Sequence, residues 1–579
     1  MKRPATGQPP APDKIGAVYT PRLLAEQLAE QTFALWSRQR GALSLEALDA
    51  LTVFDPACGE GALLKAAHGC VVAARQGLGQ DLALAHAETL RRNISGVDVD
   101  VRAVEAARQG LGGARIKEAE ALLGDGAWPA QGCDMVIANP PYVTIQRVKT
   151  RDPDFARALV EARGEDGEPR FESVAAGSFD LYLLFVERAL EALRPGGVLG
   201  LLAPSSWLVN VHGRALRRIV HRGGHLARWV DFGSRQLFEG AVTYSALQLF
   251  TAEPSPELVF SLDAVVPRDW SSAERIKIGG LDPKDAWHLM PGEIRAVIAS
   301  LKERCEPLSQ VCDGIGVGVQ TSADRVFHLQ TAGETGRYLT RDGQEVTIEP
   351  SLMRPLVSGR EVGAFARPQT ATHLLFPYKL EDGVPSLISP EVMCRDHPLA
   401  WAYLKRRESL LRARERGRFD TQRWYRFGRH QNMGRQHLPK LLVPRLVRRL
   451  RAAPDLDGEF TMDNVDVGGV LASSREELFF LLAVINSSVA DFVWSQTSRP
   501  FQNGYRSANK QFIAPIPVPA PPPRLRGAIV AACEALCRAH SSGCGVESLD
   551  ESRRVLDGLV TRAYGLSSAE RAVVMGSGG

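Results

Sequence analysis

The sequence of 579 residues contains nine cysteines but no CxxC pair. A structural zinc site and a disulfide framework both need cysteines at close, regular spacings, so neither is predicted. Cys533 and Cys537 lie one helical turn apart with Cys544 beyond, but scattered thiols are more typical of buried free cysteines in a reducing compartment. We therefore expect no metal site.

The sequence also lacks a long apolar run. No stretch approaches the roughly 18 apolar residues that a membrane span requires. The first 15 residues are basic and rich in proline, and no apolar core follows them. This pattern is not that of a signal peptide, and it predicts a disordered tail over 1–15. We expect a cytoplasmic protein without a membrane partner.

The common nucleotide-binding loops are absent as well. The segment DPACGEG (55–61) lies between a predicted strand and a predicted helix, as a phosphate loop would. However, no GK[ST] follows it, and the dinucleotide fingerprint GxGxxG does not occur. The ligand of this turn is therefore expected to be neither a triphosphate nor a dinucleotide.

Positive charge is concentrated in one segment. Residues 401–450 contain 13 Arg and 2 Lys against 3 acidic residues, an excess of 12, whereas the whole chain has a net charge of +4. Aromatic residues, among them Trp424, Tyr425 and Phe427, are interleaved with the arginines. A solvated basic helix over 404–418 is the plainer reading, but the segment as a whole favours a surface that faces a polyanion. The candidate contacts are Arg423, Arg426, Arg429, Arg435, Lys440, Arg445, Arg448 and Arg449.

Strands and helices alternate at βα spacing through the first 260 residues. This alternation predicts an α/β fold with a doubly wound, Rossmann-like sheet. The segment 144–176 breaks the rhythm, and we interpret it as a functional loop. From about residue 305 short β-like segments alternate with polar stretches, and 501–523 reads as a loop followed by a proline-rich run. The predicted divisions are a tail (1–15), a catalytic domain (16–260), a linker (261–304), a mixed α+β recognition domain (305–523) and C-terminal helices (524–579).

Three acidic turns follow successive segments of the predicted sheet. Gly59 and Gly61 let the backbone approach a ligand at a helix N-terminus, and Asp55 places a carboxylate that suits an amine beside them. Asp98 ends the next strand, where it can accept the two hydroxyls of a ribose. Asp125 can accept from an exocyclic amine. An amino-acid end, a ribose and an adenine in this order match S-adenosylmethionine, although each Asp alone is equally typical of a helix cap.

The segment IANPPYV (137–143) ends a buried strand with two prolines. Prolines cannot donate to a sheet ladder, so the strand must stop there and leave a rigid extended segment at its carboxyl edge. Ligands bind at this edge in open α/β sheets. Asn139, Pro140, Pro141 and Tyr142 are therefore candidate ligand-binding residues, and the resemblance described next implies that they are catalytic.

These motifs in this order resemble the N6-adenine DNA methyltransferases of the gamma class, in particular the stand-alone TaqI-like and Eco57I-like enzymes of type II restriction–modification systems. GAVYTP, FDPACGEGALL, GVDVD, GD, IANPPYV, GSFDLYLLFVERAL and LFEGAVTYSALQLF carry the resemblance over roughly 16–250. It implies cofactor contacts by Tyr19, Thr20, Pro21, Asp55, Ala57, Gly59, Gly61, Asp98 and Asp125. It also implies that Phe238 packs on the target base. Gly126 departs from the family, in which a bulky residue often follows the third Asp.

The resemblance suggests a mechanism for NPPY. The Asn139 side-chain oxygen and the Pro140 carbonyl can hold the two hydrogens of an adenine amine and aim its lone pair at the sulfonium methyl group. Tyr142 offers a face on which the base can stack. The base must first leave the double helix.

Four alternatives remain open from the sequence. The same motif serves methyltransferases that act on a protein glutamine amide, although such enzymes are shorter and lack a basic C-terminal region. Methylation of ribosomal RNA, methylation of cytosine N4, and a non-catalytic recognition subunit are the others. We expect a monomer that binds double-stranded DNA, with no fused nuclease. Its cognate restriction endonuclease is expected to be a functional partner that is not bound.

Overall fold

The computed structural model describes residues 20–124, 126–233, 245–262, 264–381, 383–430, 432–464 and 466–576. The chain divides into two compact units, Met1–Gly292 and Glu293–Gly579. The boundary falls inside the segment 261–304 that the sequence suggested as a linker, and that segment also contains strand β9 and helix α10.

The first unit alternates strands and helices as the sequence predicts. Its strands are β1 (Val53–Asp55), β2 (Ile94–Asp98), β3 (Arg115–Glu118), β4 (Cys133–Ala138), β5 (Leu193–Pro204), β6 (Leu226–Asp231), β7 (Ser245–Thr251), β8 (Leu258–Ser261) and β9 (Glu274–Ile276). Its helices are α1 (Arg22–Arg40), α2 (Leu45–Ala50), α3 (Ala62–Gly77), α4 (Leu82–Glu88), α5 (Val101–Gly110), α6 (Ile145–Arg151), α7 (Pro153–Glu161), α8 (Leu181–Ala192) and α9 (Arg214–Gly223). Short 3₁₀ or π turns cover Thr89–Asn93, Glu172–Ala176, Ser205–Leu208, Val211–Gly213 and Ile278–Gly280.

These strands form one sheet in the order β3-β2-β1-β4-β5-β7-β6-β8-β9. Strands β3, β2, β1, β4 and β5 pair in parallel, and β7 inserts antiparallel between β5 and β6. The strand order reverses between β1 and β4, which is the point where an open α/β sheet leaves a crevice at its carboxyl edge. The predicted doubly wound, Rossmann-like fold is confirmed.

Both faces of this sheet are buried, because neighbouring residues of a strand point to opposite sides. In β1, Phe54 packs into one core cluster and Val53 into the other. In β4, Val136 and Ile137 divide in the same way. The central strands are therefore largely apolar, and the polar side chains within them, such as Asp134 of β4 and Gln248 of β7, are buried.

The segment 144–176 is more regular than the sequence suggested. It forms α6 and α7, and Ile145 and Val148 of α6 are buried in the core. Asp152 caps α7 by accepting from Phe155 N–H at 3.0 Å, and Pro153 follows at the first helical position. This cap and the apolar spacing are ordinary helix signals, so the expectation of a loop was wrong.

The second unit mixes short strands with helices. Its strands are β10 (Glu306–Pro307), β11 (Gly314–Val317), β12 (His328–Thr331), β13 (Arg337–Leu339), β14 (Glu345–Thr347), β15 (Met353–Val357), β16 (Thr372–Leu375), β17 (Tyr378–Glu381), β18 (Val384–Leu387), β19 (Lys440–Pro444), β20 (Leu446–Val447), β21 (Ala453–Asp455), β22 (Thr461–Met462), β23 (Val467–Leu471), β24 (Arg506–Ser507) and β25 (Pro517–Val518). Its helices are α10 (Gly292–Arg304), α11 (Leu308–Val311), α12 (Asp324–Phe327), α13 (Pro390–Asp396), α14 (Pro398–Lys405), α15 (Glu408–Arg412), α16 (Arg414–Gly417), α17 (Arg475–Ile485), α18 (Ser488–Thr497), α19 (Lys510–Ile513), α20 (Pro523–Ser541), α21 (Val546–Ala563) and α22 (Ser568–Gly576). Short 3₁₀ turns cover Pro350–Leu352, Met433–Arg435 and Gln502–Gly504.

Two larger sheets organise this unit. One has the order β11-β23-β19-β21, and the other has the order β14-β13-β12-β16-β15-β22. Helices α17 and α18 are almost wholly buried. Within the described part of the chain, no single helix is long and apolar enough to cross a membrane. By length and composition alone, the bent pair α17–α18, with an angle of 63°, meets that criterion.

Candidate active site

A cavity of about 210 Å³ opens at the carboxyl ends of β1, β2 and β4, beside the point where the strand order reverses. The residues that line it are Thr20, Asp55, Pro56, Ala57, Cys58, Gly59, Glu60, Ala62, Leu63, Asp98, Val99, Asp100, Ala103, Ala119, Glu120, Ala121, Asn139, Pro141 and Phe185. Seven of the residues predicted from the sequence therefore share one cavity: Thr20, Asp55, Ala57, Gly59, Asp98, Asn139 and Pro141.

Asp55 is the last residue of β1, and only 1% of its surface is exposed. Its Oδ1 accepts a hydrogen bond from Ala57 N–H at 3.0 Å. Burial raises the pKa of this carboxyl to about 8, and the nearby charge of Asp98 adds to the rise. Within the described residues no Lys or Arg pairs with Asp55, so a positive ligand group in the cavity would supply the missing charge.

Asp98 holds the glycine turn in place. Its Oδ2 accepts from Gly59 N–H at 2.8 Å, and its Oδ1 accepts from Asp100 N–H at 2.9 Å. Gly59 has a φ of 50° and Gly61 a φ of 83°, a left-handed conformation that glycine adopts without strain. The turn that joins β1 to α3 is thus fixed against the end of β2, with further acceptor capacity left on each carboxylate oxygen.

Glu120 is a wall residue that the sequence analysis missed. Its carboxylate accepts from Leu122 N–H at 2.7 Å, from Leu123 N–H at 2.6 Å and from Gly124 N–H at 3.2 Å. These bonds shape the turn that leads to Asp125. An acidic residue after a strand is the same signal that identified Asp98 at the end of β2, and Glu120 follows β3 in this way. However, β3 is too short and too exposed to be recognised as a strand from the sequence. The apolar wall residue Phe185 on α8 gave no such signal.

Asn139 follows β4 directly and is held at both ends of its amide. Its Nδ2 donates to Thr20 Oγ1 at 2.8 Å, and its Oδ1 accepts from the Tyr142 hydroxyl at 2.6 Å. The Tyr142 hydroxyl also lies 2.9 Å from the Leu202 carbonyl of β5. Burial raises the pKa of this hydroxyl, which keeps it protonated as a donor. The amide oxygen therefore has a fixed direction.

The other predicted residues of the first unit lie around this centre. Gly61 precedes α3, Pro21 precedes α1, and the ring of Tyr142 lies 6.3 Å from that of Tyr182 in a near-perpendicular arrangement. Pro140 continues the chain between Asn139 and the wall residue Pro141. Tyr19, Asp125 and Phe238 lie outside the described residues, and their roles stay predictions.

The basic residues predicted to face DNA belong to the second unit and differ in accessibility. Arg423, Arg429, Arg435, Arg448 and Arg449 are exposed. Arg426 is half-buried, with its guanidinium 4.9 Å from the Phe419 ring. Arg445 is half-buried and donates to Asn509 Oδ1 at 2.6 Å.

Lys440 is a correction to the sequence analysis. Its side chain is fully buried, and Nζ donates to Asp455 Oδ2 at 2.5 Å and to the Gln436 carbonyl at 2.6 Å. The prediction that Lys440 contacts DNA is wrong, because its ammonium group has an internal partner and no access to solvent. The consecutive apolar residues Leu441–Val443 predict a buried strand beside Lys440, but they do not predict that its ammonium group has an internal partner.

The interleaved aromatic residues are likewise internal. Trp424, Tyr425 and Phe427 are buried in the core of the second unit, which also includes Phe327 and Tyr403. The segment 423–437 therefore exposes arginines over an aromatic core, and the aromatic rings themselves do not face solvent.

Comparison with known proteins shows that this chain is similar to restriction–modification enzymes. Residues 127–238, which include β4, the NPPY sequence and β6, match the family described as Eco57I restriction-modification methylase. The type II restriction enzyme and methyltransferase RM.Eco57I of Escherichia coli is 22% identical over 67% of this chain, which spans 40% of that relative's length.

Two further comparisons extend over nearly the whole chain. The type II methyltransferase M.XhoI of Xanthomonas vasicola is 24% identical over 97% of this chain and 99% of its own length. The type IIL restriction-modification enzyme MmeI, solved in complex with DNA, superposes with a TM-score of 0.63 at 14% identity, over 96% of this chain and 77% of that chain. The resemblance seen in the sequence is thus confirmed: residues 127–238 match the Eco57I restriction-modification methylase family.

Proposed function

We propose that this protein is a site-specific DNA methyltransferase that transfers a methyl group from S-adenosylmethionine to the N6 amine of an adenine flipped out of double-stranded DNA. The observation that carries the proposal is the position of Asn139, whose amide oxygen is fixed at the wall of a cavity shared with Asp55 and Asp98.

The residues of the cavity fit the cofactor. Asp55 is a buried carboxyl without a cationic partner among the described residues, and it suits the ammonium group of the methionine moiety. Asp98 suits the ribose hydroxyls, because each of its oxygens makes only one of the hydrogen bonds that it can accept. When bound, S-adenosylmethionine would supply an electrophilic methyl group on a sulfonium.

The NPPY segment would prepare the nucleophile. An adenine amine is a poor nucleophile, because its lone pair is delocalised into the ring. Asn139 Oδ1 and the Pro140 carbonyl oxygen would accept its two hydrogens, which favours a nitrogen whose lone pair projects out of the ring plane. Thr20 and Tyr142 hold the Asn139 amide, so the acceptor is in position before the base arrives.

Double-stranded DNA fits as the substrate for two reasons. The second unit exposes arginines from a segment with an excess of 12 positive charges, which a small amide substrate would not need. The relatives over most of the chain are named as type II methyltransferases, and MmeI was solved with DNA. On this proposal the protein protects host DNA from a cognate restriction endonuclease.

The test is expression in a bacterial host without DNA methylation, followed by single-molecule sequencing of its genome. We expect N6-methyladenine at one short motif. Asn139→Ala removes an acceptor and should lower the rate by about 10²–10³-fold, whereas Asn139→Asp keeps an acceptor oxygen of the same reach and should retain more activity. Both variants should still bind the cofactor in calorimetry.

Unmodified DNA together with intact cofactor binding would overturn the proposal. Methyl transfer to ribosomal RNA or to a protein glutamine amide by the same preparation would then identify the alternative substrate. Methylated cytosine N4 at the motif would retain DNA as the substrate and reject adenine as the base.

A further inference from the structure

Residues 499–507 of the second unit form a β-hairpin that projects an exposed tip. Ser507 N–H donates to the Arg499 carbonyl at 3.0 Å, and Phe501 N–H donates to the Tyr505 carbonyl at 2.6 Å. At the tip, Asn503 and Gly504 have φ angles of 58° and 74°. Two central residues with positive φ are the requirement of a type I′ turn, and Asn-Gly is the sequence that supplies them at low cost.

The base of this hairpin is firmly held. Strand β24 (Arg506–Ser507) pairs antiparallel with β20 (Leu446–Val447), which adds a third strand to the ribbon. The buried indole of Trp494 donates to the Ser507 carbonyl at 2.9 Å, and Arg506 donates to the Ser498 carbonyl at 3.0 Å. The tip is therefore presented in one defined conformation.

The tip exposes two amide side chains between arginines. Gln502 and Asn503 are both exposed, and both extend from the turn itself. The guanidinium of Arg448 lies 5.0 Å from the Tyr505 ring, and that of Arg499 lies 5.4 Å from the Phe501 ring. The aromatic rings thus hold the two arginines beside the tip at a small cost in side-chain entropy.

We propose that the 499–507 hairpin enters the major groove of DNA, where Gln502 and Asn503 read base edges while Arg448 contacts the phosphate backbone. This inference rests on the proposed function and adds to it the element that selects the sequence to be methylated.

The dimensions and the chemistry of the hairpin both match this role. The major groove admits a two-stranded β-ribbon, and the amides of Gln and Asn pair with N6 and N7 of adenine there. The plain alternative is a solvated turn, but a solvated turn has no need of Arg448 and Arg499 stacked on flanking aromatic rings. An RNA duplex is a poorer fit, since its major groove is too narrow for side chains to read.

The test selects bound sequences from a pool of random DNA duplexes with the full-length protein, so it does not depend on methyl transfer. We compare the wild type with Gln502→Ala and with Asn503→Gly. Glycine at position 503 keeps the positive φ of the turn. Each should relax the selected sequence at one or two adjacent base pairs and weaken binding to the original sequence by about 5- to 150-fold. Thermal unfolding and cofactor binding should not change.

Arg448→Ala provides the contrasting result. Removing its interaction with a phosphate should weaken binding uniformly across sequences and reduce the slope of log K against log salt by about 0.9, without altering the selected sequence. The matched controls are Gln330→Ala on β12, whose side chain is also exposed, and Arg341→Ala at the tip of the β13–β14 hairpin of the same unit. That tip carries Asp342 and Glu345, which repel phosphate, so neither control should affect binding.

An unchanged selected sequence in both amide variants would overturn the inference, and so would preferential selection from a pool of RNA duplexes. Its failure is distinguishable from failure of the proposed function. If both amide variants methylate DNA at the wild-type rate and at the same motif, only the role of the hairpin is rejected. If the protein binds DNA selectively but methylates nothing, only the proposed reaction is rejected.

Discussion

Burial of Asp55 at the end of β1 changes the acidity of its carboxyl group. The folded protein raises the pKa of its carboxyl to about 8 from the ordinary value of 3.8, because the charged form loses its hydration there. At pH 7 the carboxyl is therefore mostly neutral in the empty cavity. A bound ammonium group favours the charged form and expels the proton.

We predict that binding of S-adenosylmethionine at pH 7 releases about one proton. The measurement is calorimetry in phosphate and in Tris, since the two buffers differ in ionisation enthalpy and the difference in observed heat counts the protons. Asp55→Asn has no proton to release. Equal heats in both buffers for the wild type would contradict the assignment of Asp55 to the amine.

The same shift predicts a pH dependence of stability. A folded pKa above the unfolded one means that the contribution of Asp55 to stability is fully present below about pH 4 and is lost as the pH rises through about 8. Without cofactor, the wild type should therefore lose stability relative to Asp55→Asn across this window. Urea unfolding of both proteins between pH 5 and 9 measures the difference, and parallel curves would refute it.

Tyr142 is expected to act through its hydroxyl as well as its ring. Tyr142→Phe keeps the ring but removes the donor to Asn139 Oδ1, so the amide oxygen loses a contact that fixes its direction. We expect kcat to fall by about tenfold, which corresponds to the roughly 1.4 kcal/mol that a hydrogen bond contributes on balance. The KM for DNA should not change. A raised KM with an unchanged kcat would instead assign the hydroxyl to base binding.

At the scale of elements, the pair of Lys440 on β19 and Asp455 on β21 stabilises the smaller of the two main sheets in the second unit. Both side chains are buried, and Asp455 also accepts from Glu459 and Phe460 N–H groups. Lys440→Met leaves a buried carboxylate without its partner and should lower the free energy of unfolding by about 3–5 kcal/mol.

A double substitution separates the charge from the packing. Lys440→Met combined with Asp455→Asn removes both charges but keeps an acceptor for the backbone N–H groups. It should recover a substantial part of the stability lost in Lys440→Met, as measured by urea unfolding. If the double variant loses as much free energy of unfolding as Lys440→Met and Asp455→Asn lose together when measured separately, the ion pair is not the source of the loss.

Element boundaries were predictable where local chemistry is strong. Asp152 followed by Pro153 signals the start of α7, and the Asn503-Gly504 dipeptide signals a hairpin turn. Both signals are local and were readable without a structure, yet the surrounding polar residues favoured a loop interpretation. Strand β3 was not readable, because a four-residue edge strand with one buried residue has almost no periodicity.

At the scale of the whole molecule, the two units divide the chemistry. The cavity with Asp55, Asp98 and Asn139 belongs to the first unit, and the basic segment belongs to the second. The net charge of +4 conceals this division, because the chain outside residues 401–450 has a net charge of −8 against the excess of 12 within them.

The exposed arginines of the second unit should determine the salt dependence of DNA binding. Replacing Arg423, Arg429 and Arg435 together by Ala should reduce the slope of log K against log salt by up to about 2.7, or 0.9 for each phosphate that the protein no longer neutralises. Arg538→Ala on α20, outside the basic segment, serves as the charge control. A slope unchanged by the triple substitution would locate the DNA surface elsewhere.

The sequence by itself determined the class of fold and the strand ends that line the cavity. Alternating apolar strands, glycine turns and a double proline are local constraints on the backbone, so Asp55, Asp98 and Asn139 could be assigned to strand ends that a doubly wound sheet brings together. Tertiary structure alone decided which side chains are accessible. Lys440 and Arg423 are equally basic in the sequence, but Lys440 lies on a central strand opposite Asp455 while Arg423 lies at the surface. Burial depends on contacts between residues far apart in the chain, which composition and spacing do not encode.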